Sequence, residues 1–174
     1  MNSYIIFCDG ACKGNPGPGG WAAIVIESSG EVEEIGGYSP QTTNNQMELL
    51  AATEALRKTK QGSKVQIFTD STYVIRGITE WIWGWKKRNW TTAQGELVLN
   101  KEYWQNLQQA GFGREIVWTY VRGHSGIAGN ERVDEIAVAY SHRTELNSLS
   151  LFRGSVENYS VPIFPLPPGE PIKK

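Results

Sequence analysis

Four carboxylates and one imidazole stand where their surroundings invite chemistry: Asp9, Glu48, Asp70, Asp134 and His124. Asp9 closes the run Tyr4, Ile5, Ile6, Phe7, whose unbroken β-branched and aromatic character reads as a strand covered on both faces. Alternation puts Asp9 on the side of Ile5 and Phe7, so an ionised group lies at the edge of an apolar surface and calls for a cation or hydrogen-bond donors. Asp-Gly is also a hairpin signal, and alone Asp9 could be a turn residue. The device is repeated, however. Lys64 to Thr69 (KVQIFT) reads as a second strand ending in an acid, Asp70, before Ser71 and Thr72 open a helix. Asp70 could be that helix's N-cap; if the two strands lie side by side, both acids share one crevice beyond the strands' carboxyl ends.

Glu48 falls in the middle of the apolar arc of a helix, among Met47, Leu49, Ala51, Ala52, Ala55 and Leu56, where the small residues leave room for an approaching group. A buried ion pair with a distant base is the alternative. Asp134 lies on the shoulder of the buried side that Val133, Ile136, Ala137 and Tyr140 mark on the last helix. His124 belongs to the loop Arg122 to Gly126, where it could be an acid/base group or an ordinary surface residue. Four acids at core edges repel one another, and hard divalent cations resolve this: Mg²⁺ prefers oxygen ligands and keeps waters that a substrate can replace. Two ions about 4 Å apart would serve phosphodiester hydrolysis. A glycosidase would need two carboxyls without metal, and a zinc site would want more histidines or thiols than this chain's two of each.

The elements that must position these groups follow from the pattern. The strand ending at Asp9, the segment Trp21 to Ile26 and the more polar Glu31 to Tyr38 read as an antiparallel meander. Its first turn, Gly10 to Gly20, lacks the Gly-Lys-Ser/Thr ending of a phosphate loop and leads into a strand. Pro40 to Asn44 end the meander and offer N-caps for a helix running to about Lys58. Helices from Ser71 to about Glu80, Asn100 to Ala110 and Asn130 to Tyr140 follow, with Glu115 to Val121 as a last strand. Between them Trp81 to Trp90 (WIWGWKKRNW) interleaves four indoles with Lys86, Lys87 and Arg88. That stretch reads as part minicore, part platform on which indoles pack on nucleic acid while cations neutralise phosphates.

A chain of 174 residues with a net charge of −1 suits one core-bearing domain. The acids Glu27, Glu31, Glu33 and Glu34 form one stretch free of bases, so one face can still be basic. Cys8 and Cys12 read as reduced thiols, no apolar run reaches the ~20 residues of a membrane span, and a cytoplasmic monomer is expected. Prolines crowd the end, which divides the chain into a domain over residues 1–143 and an extension over 144–174, flexible or draped on the surface.

The segments CDGACKGNPGPGGWA, TTNNQMELLAATEAL, FTDSTYVIRGITEWIWGWKKRNW and VRGHSGIAGNERVDEIA together resemble bacterial type 1 ribonuclease H from Tyr4 to about Tyr140. The resemblance implies an α/β fold, a five-stranded mixed sheet with helices on both faces, and endonucleolytic hydrolysis of the RNA strand of RNA/DNA hybrids to 5′-phosphate and 3′-hydroxyl ends. It implies Asp9, Glu48, Asp70 and Asp134 as ligands of two Mg²⁺ ions (Mn²⁺ substituting), Asp9 bridging them, and His124 as a mobile group in proton transfer or product release. Cys12, Gly14, Asn15, Asn44 and Asn45 resemble the family's minor-groove readers of 2′-hydroxyls. Thr43 and Asn100 match a pocket for a DNA-strand phosphate, and Trp81, Trp85, Lys86, Lys87, Arg88 and Trp90 match its basic protrusion. Gln41, Thr72, Glu96 and Leu99 depart from the commoner, more basic pattern, which implies weaker, more salt-sensitive binding with the chemistry intact. A DNA-cutting relative on the same fold and a silent hybrid-binding module are the competing readings; the minor-groove residues argue against the first and the four acids against the second.

Overall fold

The computed structural model describes residues 1–143 and 149–172; residues 144–148 and 173–174, and with them the start and the end of the expected extension, lie outside the described residues. The meander forms as the pattern requires: β1 (Ser3–Cys12), β2 (Gly17–Glu27) and β3 (Glu31–Thr42) pair antiparallel. The other side of β1 takes β4 (Lys64–Thr69) in parallel, and β4 takes β5 (Glu115–Tyr120) in parallel. Such parallel pairs need crossovers, and helices supply them. Helix α1 (Asn44–Arg57) starts from a capping box between Thr43 and Gln46; with α4 (Lys101–Gly111) it covers one face, burying Leu49, Leu56, Trp104 and Leu107. Helix α5 (Ala128–His142) covers the other, with Val133, Ile136 and Ala137 against Phe7, Ile24 and Phe68. Among the described residues, no helix is long and apolar enough to cross a membrane.

Two expectations change. The helix expected from Ser71 to about Glu80 is α2 (Thr72–Arg76), which continues through a π-helical turn (Gly77–Trp81) into α3 (Ile82–Lys87). In that turn the Ile82 amide donates to the Gly77 carbonyl, five residues back. A Cβ on Gly77 would lie 1.9 Å from the fully buried Trp104 ring, so only a bare backbone lets the helix pass over α4 there.

The sheet also has six strands rather than five, in the order β5-β4-β1-β2-β3-β6, because β6 (Arg153–Ser155) from the extension pairs with the outer edge of β3. A three-residue strand is too short to show a period, and the prolines begin only after it, at Pro162.

The extension is fastened by a carboxylate that the sequence places in a solvated acidic stretch. Glu34 is 3% exposed. Arg132 on α5 donates to it from Nε (2.6 Å) and Nη2 (2.9 Å), the Phe152 amide donates at 2.9 Å, and the Tyr159 hydroxyl donates at 2.7 Å. Burial pushes the Glu34 carboxyl up, but these donors outweigh it and hold it below its ordinary range. Its contribution to stability is therefore present at neutral pH and lost as pH falls through the folded-state value. Arg132→Met, which leaves the anion buried with too few partners, is expected to cost about 3 kcal/mol at pH 7, or ~6–12 °C in Tm. The deficit should shrink as pH falls through the lowered folded-state value and Glu34 is protonated, as thermal unfolding at neutral and at acid pH would show.

Candidate active site

Two adjacent strand ends and one helix build the site. Phe7 on β1 pairs with Phe68 on β4, their rings stacked at 4.9 Å, so Asp9 and Asp70, each two residues further on, emerge side by side. Helix α1 is pressed onto β1 at Gly10, where a Cβ would lie 2.4 Å from the Glu48 amide nitrogen; that close approach sets Glu48 beside Asp9. One carboxylate oxygen from each of Asp9, Glu48 and Asp70 then lies within 4.8 Å of the others. The crevice beyond the carboxyl ends of parallel strands is where open sheets hold ligands.

Neighbouring groups orient each acid. The Gly10 amide donates to Asp9 Oδ1 at 2.8 Å. Ser71 Oγ and Asn44 Nδ2 donate to the two oxygens of Glu48 at 2.5 and 3.1 Å. Asn130 Nδ2 donates to Asp70 Oδ2 at 3.3 Å, while Asn130 Oδ1 is buried without a protein partner. Burial, and then the charges of Asp70 and Glu48, push the Asp9 carboxyl up to about 9. Burial pushes Glu48 up to about 7, against the Ser71 and Asn44 donors that favour its anion. Asp70 is raised too, chiefly by burial, with Asn130 opposing. Cys8, beneath the three, is held protonated by burial and by their charges. Among the described residues no cation pairs with the three acids; they offer hard oxygen donors, and the unpaired Asn130 oxygen lies beside them, which suits a divalent cation of the magnesium kind.

The remaining predicted residues fall around this centre. Asp134, half-buried on α5, stands outside the three-acid group, yet its charge raises both Asp9 and Asp70. His124 is exposed at a φ of 54° in the loop after β5, close enough for its charge to favour ionised Asp70. The Cys12 thiol points at the carbonyls of Thr42 (3.3 Å) and Gly17 (3.5 Å), Gly14 takes a φ of 73°, and Asn15 Oδ1 accepts from the Asn44 amide at 3.0 Å, which ties the β1–β2 turn to the start of α1. Asn45 is half-buried in the first turn of α1. Thr43 and Asn100 are joined through Gln46: its Oε1 accepts from the Thr43 amide (3.2 Å) and its Nε2 donates to Asn100 Oδ1 (3.1 Å). Asn100 in turn donates to the Tyr73 hydroxyl.

The tryptophan stretch divides by burial. Trp85 and Trp90 pack inward, Trp85 against the Trp104 ring at 5.3 Å, and form the minicore. Trp83 is 61% exposed with Lys86 over its ring, Trp81 is 37% exposed, and Lys86, Lys87 and Arg88 face solvent. Reading the sequence alone misses Ser71, Gln46, Tyr73 and Asn130. Thr43-x-x-Gln46 is a legible capping-box signature; the others show only once distant segments meet.

A mixed sheet whose adjacent parallel strand ends and facing helix gather three acids, Asp9 buried and Glu48 and Asp70 half-buried, defines a carboxylate-based, divalent-metal site of the kind that serves phosphodiester chemistry. The comparisons agree. The family model for RNase H matches residues 1–142. A protein named Ribonuclease H from Cupriavidus metallidurans is 53% identical over 137 residues, covering 79% of this chain and 94% of the relative, and one of the same name from Cyanothece sp. is 52% identical over 145 residues (81% and 92%). Of solved structures, LC9-RNase H1, described as a type 1 RNase H with the type 2 active-site motif, aligns with a TM-score of 0.74 at 31% identity, covering 90% of this chain and 80% of the other. LC11-RNase H1, solved in complex with RNA/DNA hybrid, shares the fold at a TM-score of 0.58 and 23% identity, covering 81% and 98%. The chain belongs to the ribonuclease H family, in its bacterial type 1 branch.

The raised acids set the sign of the pH dependence. In the unfolded chain they ionise near pH 4, whereas in the metal-free fold Glu48 and Asp9 hold their protons until about 7 and about 9. Between those limits unfolding releases protons, so the stability of metal-free protein falls as pH rises. Thermal unfolding in chelator at pH 5, 7 and 9 should show the decline, and excess divalent cation should reverse it. Asp9→Asn should raise the metal-free Tm at pH 7 by about 4–8 °C, the equivalent of ~2 kcal/mol, because the neutral amide can be buried without taking up a proton.

Proposed function

We propose that this chain hydrolyses the RNA strand of RNA/DNA hybrids as an endonuclease, leaving 5′-phosphate and 3′-hydroxyl ends. The observation that carries the reading is the gathering of Asp9, Glu48 and Asp70 within 4.8 Å, in a chain whose relatives bear the name Ribonuclease H. These three, Asp9 the most buried of them, and Asp134 would hold two Mg²⁺ ions, with Mn²⁺ as a substitute. When bound, such a pair activates an attacking water and stabilises the departing oxygen. Ser71, Asn44 and Asn130 keep Glu48 and Asp70 facing the crevice before any ion enters. His124, exposed on a loop that passes against Asp70, can take or return a proton at the crevice mouth or help product leave.

The chain's own groups also supply the means to tell RNA from DNA. The turn carrying Cys12, Gly14 and Asn15, tied to Asn44 and neighbouring Asn45, offers amide and backbone donors for 2′-hydroxyls. Thr43 and Asn100, locked together through Gln46, form a seat for a phosphate of the other strand. Trp81, Trp83 and the three cations of the protrusion contact that strand further on, over the inner support of Trp85 and Trp90. The same reading makes residues 1–143 the catalytic domain of a cytoplasmic monomer, since one chain supplies every group named and both cysteines are free.

Incubation with an end-labelled RNA/DNA hybrid tests this. Cleavage confined to the RNA strand is expected with Mg²⁺ and none with chelator, with Asp9→Asn down by at least ~10³-fold and His124→Ala by about 100-fold in kcat. Cutting that survives chelation, or that extends equally to matched DNA duplex, would overturn the assignment. On the protrusion, Glu96→Lys should lower KM severalfold at low salt and leave kcat unchanged, since the added charge contacts phosphate and not the reacting bond.

A further inference from the structure

The family model ends at residue 142, but the described extension continues in a definite path across the molecule. It begins at one sheet edge, where β6 pairs with β3 and the Val156 amide donates to the Gly30 carbonyl. It then crosses the face that α5 leaves uncovered: Ile163 is 4% exposed in the core with Phe7, Ile24 and Phe68, and Leu166 packs on the same cluster. It ends at the opposite edge. Gly169 lies against Thr119, a Cβ there standing 2.8 Å from the threonine methyl, and the Glu170 amide donates to the Tyr120 carbonyl at 2.9 Å. Because the next amide, Val121, donates inward to Thr69 of β4, the Tyr120 carbonyl faces the free edge of β5, and Glu170 extends the ladder there.

That point is the root of the His124 loop. Two residues beyond Tyr120, Arg122 opens the loop; its carbonyl accepts from Ser125 Oγ at 2.6 Å, and its guanidinium meets Glu170 at 3.6 Å. Gly123 follows so close to Asp70 that a Cβ would lie 2.9 Å from the carboxylate oxygen. The loop is thus held on its inner side by Asp70 and on its outer side by the end of the extension. The Arg122–Glu170 pair is long and its side chains are 59% and 42% exposed, so it adds little; the backbone bond, with the buried Ile163 and the half-buried Leu166 anchoring the segment before it, carries the tie.

We propose that the extension is a strap whose Glu170 is a positioning residue for the loop that carries His124, so that turnover depends on a segment outside the catalytic domain. The proposal rests on the hybrid-cleavage reading for its kinetic consequence but not for the tie itself. A chain ending at Leu166 keeps β6, the Glu34 network and Ile163 yet loses Glu170, and a chain ending at Ile172 keeps Glu170. Full-length Glu170→Pro removes the amide donor together with the carboxylate, and full-length Glu170→Gln, which keeps the amide and removes only the charge, should match the full chain.

For the chain ending at Leu166 and for Glu170→Pro, hydrogen exchange should quicken at residues 121–127 with β1 and α1 unchanged. The same two variants should lose about three- to tenfold in kcat with KM held. The chain ending at Ile172 should match the full chain. In a His124→Ala background the truncation to Leu166 should change kcat no further, because the strap acts through that side chain. Unchanged exchange in the loop overturns the proposal, as does an equal loss of kcat in the His124→Ala background or a loss already complete in the chain ending at Ile172. If the full chain cuts no hybrid, the cleavage reading fails while the exchange measurement still decides the tie.

Discussion

The withdrawal from water of neighbouring acids, whose charges then also repel one another, is the constraint around which this molecule is built. Asp9 is almost sealed from water and has a carboxylate oxygen of Glu48 and one of Asp70 within 4.8 Å. A fold free to relax would turn at least one of them outward. It cannot, because each is fixed by an element with other obligations: β1 and β4 by their parallel register and the Phe7–Phe68 stack, α1 by the capping box and its close seat at Gly10. The strain is kept in one place and relieved by cation binding, so affinity for the ion and instability without it have a single origin.

A second buried carboxylate, Glu34, shows the opposite solution. It is as deeply enclosed as Asp9, but a guanidinium, an amide and a hydroxyl converge on it, and it is ionised without any ion. The contrast separates a structural acid from one available for chemistry: burial is common to both, and the presence or lack of protein donors decides. The donors to Glu34 come from α5 and from the extension, so this carboxylate joins the catalytic fold to the segment that follows it.

Much of the site was legible because strand and helix periods constrain where acids can fall. FCDG and FTDS each announce a strand ending in a carboxylate, and the helical arc of Met47, Ala51 and Ala55 places Glu48 inward before any coordinates are known. What stayed hidden was set by long-range packing. Glu34 sits in a run with Glu31 and Glu33, and only Arg132, 98 residues away, tells it from a solvated charge. The π-helical turn at Gly77 answers to the Trp104 ring of a later helix, and β6 is too short to carry a period of its own. Prolines at the end left the extension either flexible or draped on the surface; which of its apolar residues touch the sheet, Ile163 and Leu166 between the prolines and Val161 just before them, depends on packing against α5 and its face.

The same logic explains why the tryptophan stretch could not be read as one thing. Trp85 packs on the Trp104 ring of α4 and on Trp90, and both indoles lie against the core cluster that α1 and α4 share. Trp81 and Trp83 remain outside, with Lys86 resting over the Trp83 ring. Both stand toward the end of the helical run that begins at Thr72 and passes through the π-helical turn into α3. The inner pair braces that run, and a surface held in this way loses less entropy when a partner meets it than one that must order on contact.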